Sequence, residues 1–216
     1  MERISNINIK LPITPTIQSV KDGCVTASIR GVIPHLGIDF DKVFLPQLQG
    51  YSMNNNPEDN HMLGIASVGA RINLNVAVHT TEPLSINMEA SALPSKAEGV
   101  HPRVVKEIVE LAAQNKIGLS SGQYDIDAFR RTLIDALSKE QYVFVFLNWI
   151  KWNPKIQEKW GNANHIPVVY GINDKKVLVM DPTVEEGTSN LVEVDLEYLF
   201  NALNKEQQIV FIGKKI

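Results

Sequence analysis

The sequence holds a single cysteine, Cys24, placed directly after Gly23 in the segment QSVKDGC. Val25, Ile29, Val32 and Ile33 follow at close to helical spacing, which predicts a helix that begins near Cys24 and ends before Pro34 or Gly37. At a helix N-terminus the unpaired backbone N–H groups and the helix dipole favour an anionic thiolate, so the position suits a nucleophile. Gln18 lies six residues earlier, on the loop leading into the helix. A carboxamide there can donate to the oxygen on which charge develops during acyl transfer, with the Cys24 backbone N–H as second donor. A cysteine nucleophile needs a base, and His165 in GNANHIPVVYG opens a predicted strand. The next strand ends at Asp181 in VLVMDP, and two antiparallel strands joined by the turn NDKK bring the start of one beside the end of the other. An aspartate so placed can hold an imidazole in the tautomer that base catalysis requires.

Each residue also has a plain structural reading. A lone cysteine is commonly a small buried hydrophobe, a histidine at a strand start is commonly a satisfied structural group, and an aspartate before proline commonly makes a turn. Their joint order, Gln18, Cys24, His165, Asp181, is what favours chemistry, since one arrangement places donor, thiol, imidazole and carboxylate in one cleft. Other chemistries find less support. The five histidines, His35, His61, His79, His101 and His165, show no HExxH or similar spacing, and no metal site or cofactor is expected. Gly64 and Gly69 have no Lys-Ser/Thr pair after them and are expected to allow close helix packing; there is no dinucleotide fingerprint. Trp149, Trp152 and Trp160 flank the loop before His165, where they can form an aromatic wall for a substrate or pack into the core.

The elements that must position these residues are legible in outline. Gly50–Asn60, rich in Asn, Pro and Asp, predicts a loop. From Gly64 a short helix is expected, then a strand with Leu74, Val76 and Val78 on one face. Residues 82–98 are expected to form an irregular connection. Pro102 opens a helix carrying Val105, Ile108, Val109 and Ala112, with Gly118 as its stop. A second helix, capped by Asp125 or Asp127, buries Ile126, Phe129, Leu133, Ala136 and Leu137. From Tyr142 onward come the strands YVFVFL, IPVVYGI, KVLVMD, LVEVDL and QIVFIG, interrupted by a brief helix, DLEYLFNAL. Helices first and strands last indicate an α+β fold. One domain over residues 1–216 is expected, with a helical lobe to about residue 140, an antiparallel sheet lobe after it, and a cleft between them.

The 216 residues are 44% hydrophobic, and 21 Lys plus Arg against 24 Asp plus Glu leave a net charge of −3. A chain of this size buries about 70% of its surface and needs no disulfide or metal to hold its core. The charge balance argues against a nucleic-acid partner. The longest apolar run, YVFVFLNWI from Tyr142, is far short of the ~20 residues that span a bilayer, so no membrane association is expected. The N-terminal MERISNINIKLPITPTIQ has none of the apolar continuity of a signal peptide. A cytoplasmic protein, or one exported without a cleaved signal, is the expectation; the oligomeric state is open, a homodimer included.

These residues resemble the papain-like cysteine enzymes, most closely phytochelatin synthase and its short bacterial relatives. The likeness is best over the last 90 or so residues, in DAFRRTLIDALSKEQYVFVFLNWIKWN, NHIPVVYGINDKKVLVMDPT, VDLEYLFNAL and IVFIG, and extends to QSVKDGC and GIASVGARINLNVAVHTTE. It implies a papain-like fold with Cys24 as acylated nucleophile, His165 as general base and then acid, Asp181 as the orienting residue and Gln18 as oxyanion donor. The reaction it implies is attack on the Cys–Gly amide of glutathione, release of glycine, and transfer of the γ-glutamylcysteinyl group to a second thiol peptide or to water. Val25, Asn164, Pro182 and Thr183 depart from that family's pattern, as does the insertion-like stretch from Glu82 to Ser120. The short hairpin ending in Asp-Pro also resembles the cysteine peptidase domains that cut leader peptides at double-glycine sites. A small peptide or glutathione-like substrate is therefore implied. The alternatives are a peptidase acting on a leader or host peptide, and a catalytically silent module that keeps the cleft for a partner.

Overall fold

The computed structural model describes residues 7–18, 23–53, 56–84, 101–153, 164–174, 176–183, 190–204 and 207–215. Its strands are β1 (Asn8–Lys10), β2 (Ser52–Met53), β3 (Asn56–Asn60), β4 (Asn75–Thr80), β5 (Gly118–Ser121), β6 (Tyr142–Val145), β7 (Leu147–Asn148), β8 (Asn164–His165), β9 (Val168–Asn173), β10 (Lys176–Met180), β11 (Leu191–Asp195) and β12 (Ile209–Gly213). Its helices are α1 (Cys24–Val32), α2 (Leu45–Leu48), α3 (Met62–Arg71), α4 (His101–Ala113), α5 (Ile126–Ser138), α6 (Trp149–Trp152) and α7 (Leu196–Ala202).

One eight-stranded sheet runs in the order β11-β10-β9-β6-β12-β4-β5, with β1 added against β9. All its pairings are antiparallel except β4 with β5, which is parallel. Residues 142–145 and 209–213 are buried without alternation, because both faces of the central strands β6 and β12 are covered. Helix α3 packs on β4 and β12 and α5 on β6 and β9. The close approach of α3 depends on Gly69: a Cβ there would lie 2.7 Å from Ile212 Cδ1, so this glycine packs a helix on the sheet, as expected from the sequence. Helix α1 lies against the segment 14–18, which runs antiparallel along its side and joins it to the sheet. Thr14 N–H donates to Gly31 O (3.1 Å), Thr16 Oγ1 to Ala27 O (2.6 Å), Leu11 N–H to Tyr170 O (2.8 Å), and Asn190 Nδ2 to Thr16 O (2.8 Å).

The α+β fold is as expected, and α1, α3, α5, α7 and the strands from Tyr142 onward stand where the sequence places them. Two expectations need correction. The stretch from Gly50 to Asn60 is not all loop, since Ser52–Met53 pairs with Asn56–Asn60 as a small hairpin. Helix α4 does not run to Gly118; it ends at Ala113 and the chain turns at Asn115, whose φ of +56° is a left-handed conformation that asparagine tolerates. Gly118 instead opens β5, whose register with Ala77 on β4 is in the sheet. Strands β1, β4 and β5, all from before residue 141, share the sheet with the C-terminal strands. The irregular connection expected over residues 82–98 lies largely outside the described residues.

Candidate active site

Cys24 is the first residue of α1 and is buried. Gly23 precedes it as an N-cap without a side-chain hydrogen bond, and no acidic residue occupies the first turn. Among the described residues the end of the helix that carries the thiol is therefore positive, with no first-turn acid to compete with a thiolate.

His165 and Asp181 meet as the sequence predicts. Strand β9 begins three residues after His165 and pairs with β10, which ends at Met180, and the ladder matches Val168 with Met180. Beyond this end of the ladder His165 Nε2 lies 2.9 Å from Asp181 Oδ1. His165 is 1% exposed and its other ring nitrogen, Nδ1, is buried with no hydrogen-bond partner. The pairing at Nε2 thus leaves Nδ1 as the nitrogen available for proton transfer.

Two contacts bring this pair to α1. Ser28, one turn after Cys24 on the same side of the helix, donates its hydroxyl to the carbonyl oxygen of Ile166 at 2.5 Å. The residue next to His165 is thereby anchored about 6 Å along the helix from Cys24. Gln18 N–H donates to Pro182 O (2.8 Å), which ties the approach to α1 to the residue after Asp181. The carboxamide oxygen of Gln18 is buried and makes no hydrogen bond. All four sequence-predicted site residues are thus tied to one region between α1 and the β9–β10 end of the sheet.

Asp181 is held by more than His165. Oδ1 also accepts from Thr183 N–H (2.9 Å) and Thr183 Oγ1 (2.5 Å), and Oδ2 accepts from Trp152 Nε1 (2.7 Å). Burial acts to raise the carboxyl pKa. The charge and hydrogen bond of His165, with the donors of Thr183 and Trp152, outweigh it and hold Asp181 well below the usual carboxylate range. Trp149 meets the His165 ring edge-on, with centroids 4.0 Å apart. Both indoles are buried, so they do not form an open aromatic wall; Trp160 lies outside the described residues. Sequence reasoning did not pick out Ser28, and it named Trp152 only as an aromatic wall or core residue and Thr183 only as a departure from a family pattern, neither as a partner of Asp181. The Asp-Pro-Thr order carried a signal for one of them, because an aspartate commonly accepts from the backbone N–H two residues on. The long-range partners of Ser28 and Trp152 left no local trace.

Among the described residues no group of three or more His, Cys, Asp or Glu side chains could hold a metal, and no helix is long and apolar enough to cross a membrane. The mixed α+β architecture, with its large and mainly antiparallel sheet, is of the papain-like kind. A solved Bacillus anthracis protein described as a C39-like peptidase shares it at a TM-score of 0.51 and 15% identity, over 96% of this chain and 98% of that one. A double-glycine motif protease from an AMS/PCAT transporter, solved in complex with a leader peptide, aligns at a TM-score of 0.47 and 12% identity, over 96% of this chain and 99% of that one. No protein-family model and no curated protein matches the sequence.

Proposed function

We propose that residues 1–216 form one papain-like cysteine enzyme that cleaves a peptide-like amide through a thioester on Cys24. The observation that carries this reading is the buried His165–Asp181 pair, bonded at Nε2 with Nδ1 unpartnered, beside the helix that starts at Cys24. In the proposed reaction the Cys24 thiolate adds to the carbonyl carbon, and a C–S bond forms as the carbonyl π electrons move to oxygen. The backbone N–H of Cys24 and the Gln18 carboxamide stabilise that oxyanion. The C–N bond then breaks and protonated His165 Nδ1 gives its proton to the leaving amine. His165 next takes a proton from water, or from another acceptor, which attacks the thioester and restores the thiol. Asp181 keeps Nε2 engaged throughout, so that Nδ1 is the exchanging nitrogen.

The fold shared with a C39-like peptidase supports a peptide substrate. Glutathione, implied by the resemblance to phytochelatin synthase, is the narrower possibility within the same chemistry. The test is to incubate wild-type protein and Cys24→Ala with peptides bearing internal Gly-Gly bonds and, separately, with glutathione, and to read products by mass spectrometry. Cleavage of a peptide by the wild type alone supports a peptidase. Release of glycine from glutathione by the wild type alone supports the γ-glutamylcysteinyl transferase or hydrolase form. Equal product formation with Cys24→Ala overturns the thioester in either case.

A further inference from the structure

The indoles of Trp149 and Trp152 lie three residues apart on the single turn α6, and so project from one side of it. The Trp149 ring stands edge-on to His165 at a centroid distance of 4.0 Å, and Trp152 Nε1 donates to Asp181 Oδ2 at 2.7 Å. One helical turn therefore contacts both members of the pair. The turn is itself fixed from three directions. Asn148 caps it by accepting from Lys151 N–H (3.2 Å). Strand β7, which runs directly into it, pairs Leu147 with His165 and Asn148 with Asn164. Tyr198 on α7 donates its hydroxyl to the Trp152 carbonyl. Trp152 and Asp181 are 6% and 8% exposed, so the hydrogen bond between them is shielded from solvent.

We infer that Trp152 is a positioning residue of the proposed reaction: its indole N–H fixes the Asp181 carboxylate so that Oδ1 faces His165 Nε2. Thr183 supports the same carboxylate from the opposite chain direction through its N–H and hydroxyl. Without the indole donor, Oδ2 is left buried and unpaired, and the carboxylate can turn away from His165. The imidazolium then loses its fixed anionic partner, and the thiolate it stabilises forms only at higher pH.

This inference rests on the proposed function, and two measurements separate their failures. The first is the pH dependence of Cys24 alkylation by iodoacetamide in wild type, Trp152→Phe and Thr183→Val, each checked for folding by circular dichroism. The expected result is an inflection raised by about half a pH unit or more in Trp152→Phe, with a smaller rise in Thr183→Val, which keeps the backbone donor. Where Trp152→Phe does not fold, the indole signal of the wild type decides the role of Trp152. The second is the ¹H–¹⁵N signal of the Trp152 indole, expected to lie downfield in the wild type and to move when Asp181 is replaced in Asp181→Asn. An ordinary thiol inflection in the wild type overturns the nucleophile. Unshifted inflections in the folded variants, or a Trp152 signal indifferent to Asp181→Asn, overturn the positioning role.

Discussion

The carboxylate of Asp181 accepts hydrogen bonds from His165, from both donors of Thr183 and from Trp152, while its residue is only 8% exposed. A group whose folded pKa is depressed adds stability that is fully present above its unfolded value of about 3.9 and is lost as pH falls through the folded value. Thermal melts of the wild type are therefore expected to lose temperature as pH drops below about 4. The Asp181→Asn melt, corrected for the common acid response, is expected to be flatter in that window. An identical acid slope in both proteins would contradict the depressed carboxyl. Replacing His165 by alanine is expected to lower amide cleavage by about 10²–10⁴, the usual contribution of a positioned acid-base group, with the melting temperature as the control for folding. At this scale the sequence was informative where chemistry uses rare residue types. A lone cysteine after glycine and a histidine and aspartate at facing strand ends could be found by type and place, whereas Ser28 is one serine among many and gains its meaning only from the carbonyl it meets.

The elements set the distances between those residues. The 14–18 segment reaches α1 because Gly31 has no side chain, and a Cβ there would lie 2.7 Å from Thr14 O and 3.0 Å from Met180 Cε. Gly31→Ala is expected to destabilise the protein by about 1–3 kcal/mol through displacement of that segment, read as a lower urea midpoint with an unchanged slope. Ser28→Ala removes the bond to Ile166 O and is expected to cost about 1 kcal/mol or more, and to slow Cys24 alkylation as the His165 strand loosens over α1. A stability loss with no change in reactivity would show that this bond holds the fold without placing the histidine. The longer elements were legible because periodicity and caps agreed, as with Asp125, whose Oδ1 accepts from Ala128 N–H at 2.6 Å at the start of α5. The short ones were not. Strand β5 reads GLSS, with no apolar alternation, and all four residues are exposed, so its place beside β4 comes from tertiary pairing alone. The β2–β3 hairpin is likewise written in turn-forming residues, which local propensity assigns to a loop.

Across the whole molecule the sheet joins early and late parts of the chain, with β12 inserted between β4 and β6. The last strand thus closes the core through bonds on both edges, as its fully buried residues attest. Hydrogen exchange is expected to be slowest in β6 and β12 and fastest in the edge strand β5, and rapid exchange in β12 would contradict this placement. The segregation of helices and strands in the sequence conveyed the fold class, but the order β11-β10-β9-β6-β12-β4-β5 depends on pairings between distant segments that no local pattern carries. The measurement closest to the central claim is the rate of Cys24 alkylation by iodoacetamide from pH 4 to 10, in the wild type and in His165→Ala. If Cys24 and His165 form a thiolate–imidazolium pair, the wild type inflects well below the ordinary thiol value of about 8.5 and His165→Ala returns it toward that value. An ordinary inflection in both proteins would contradict a catalytic Cys24.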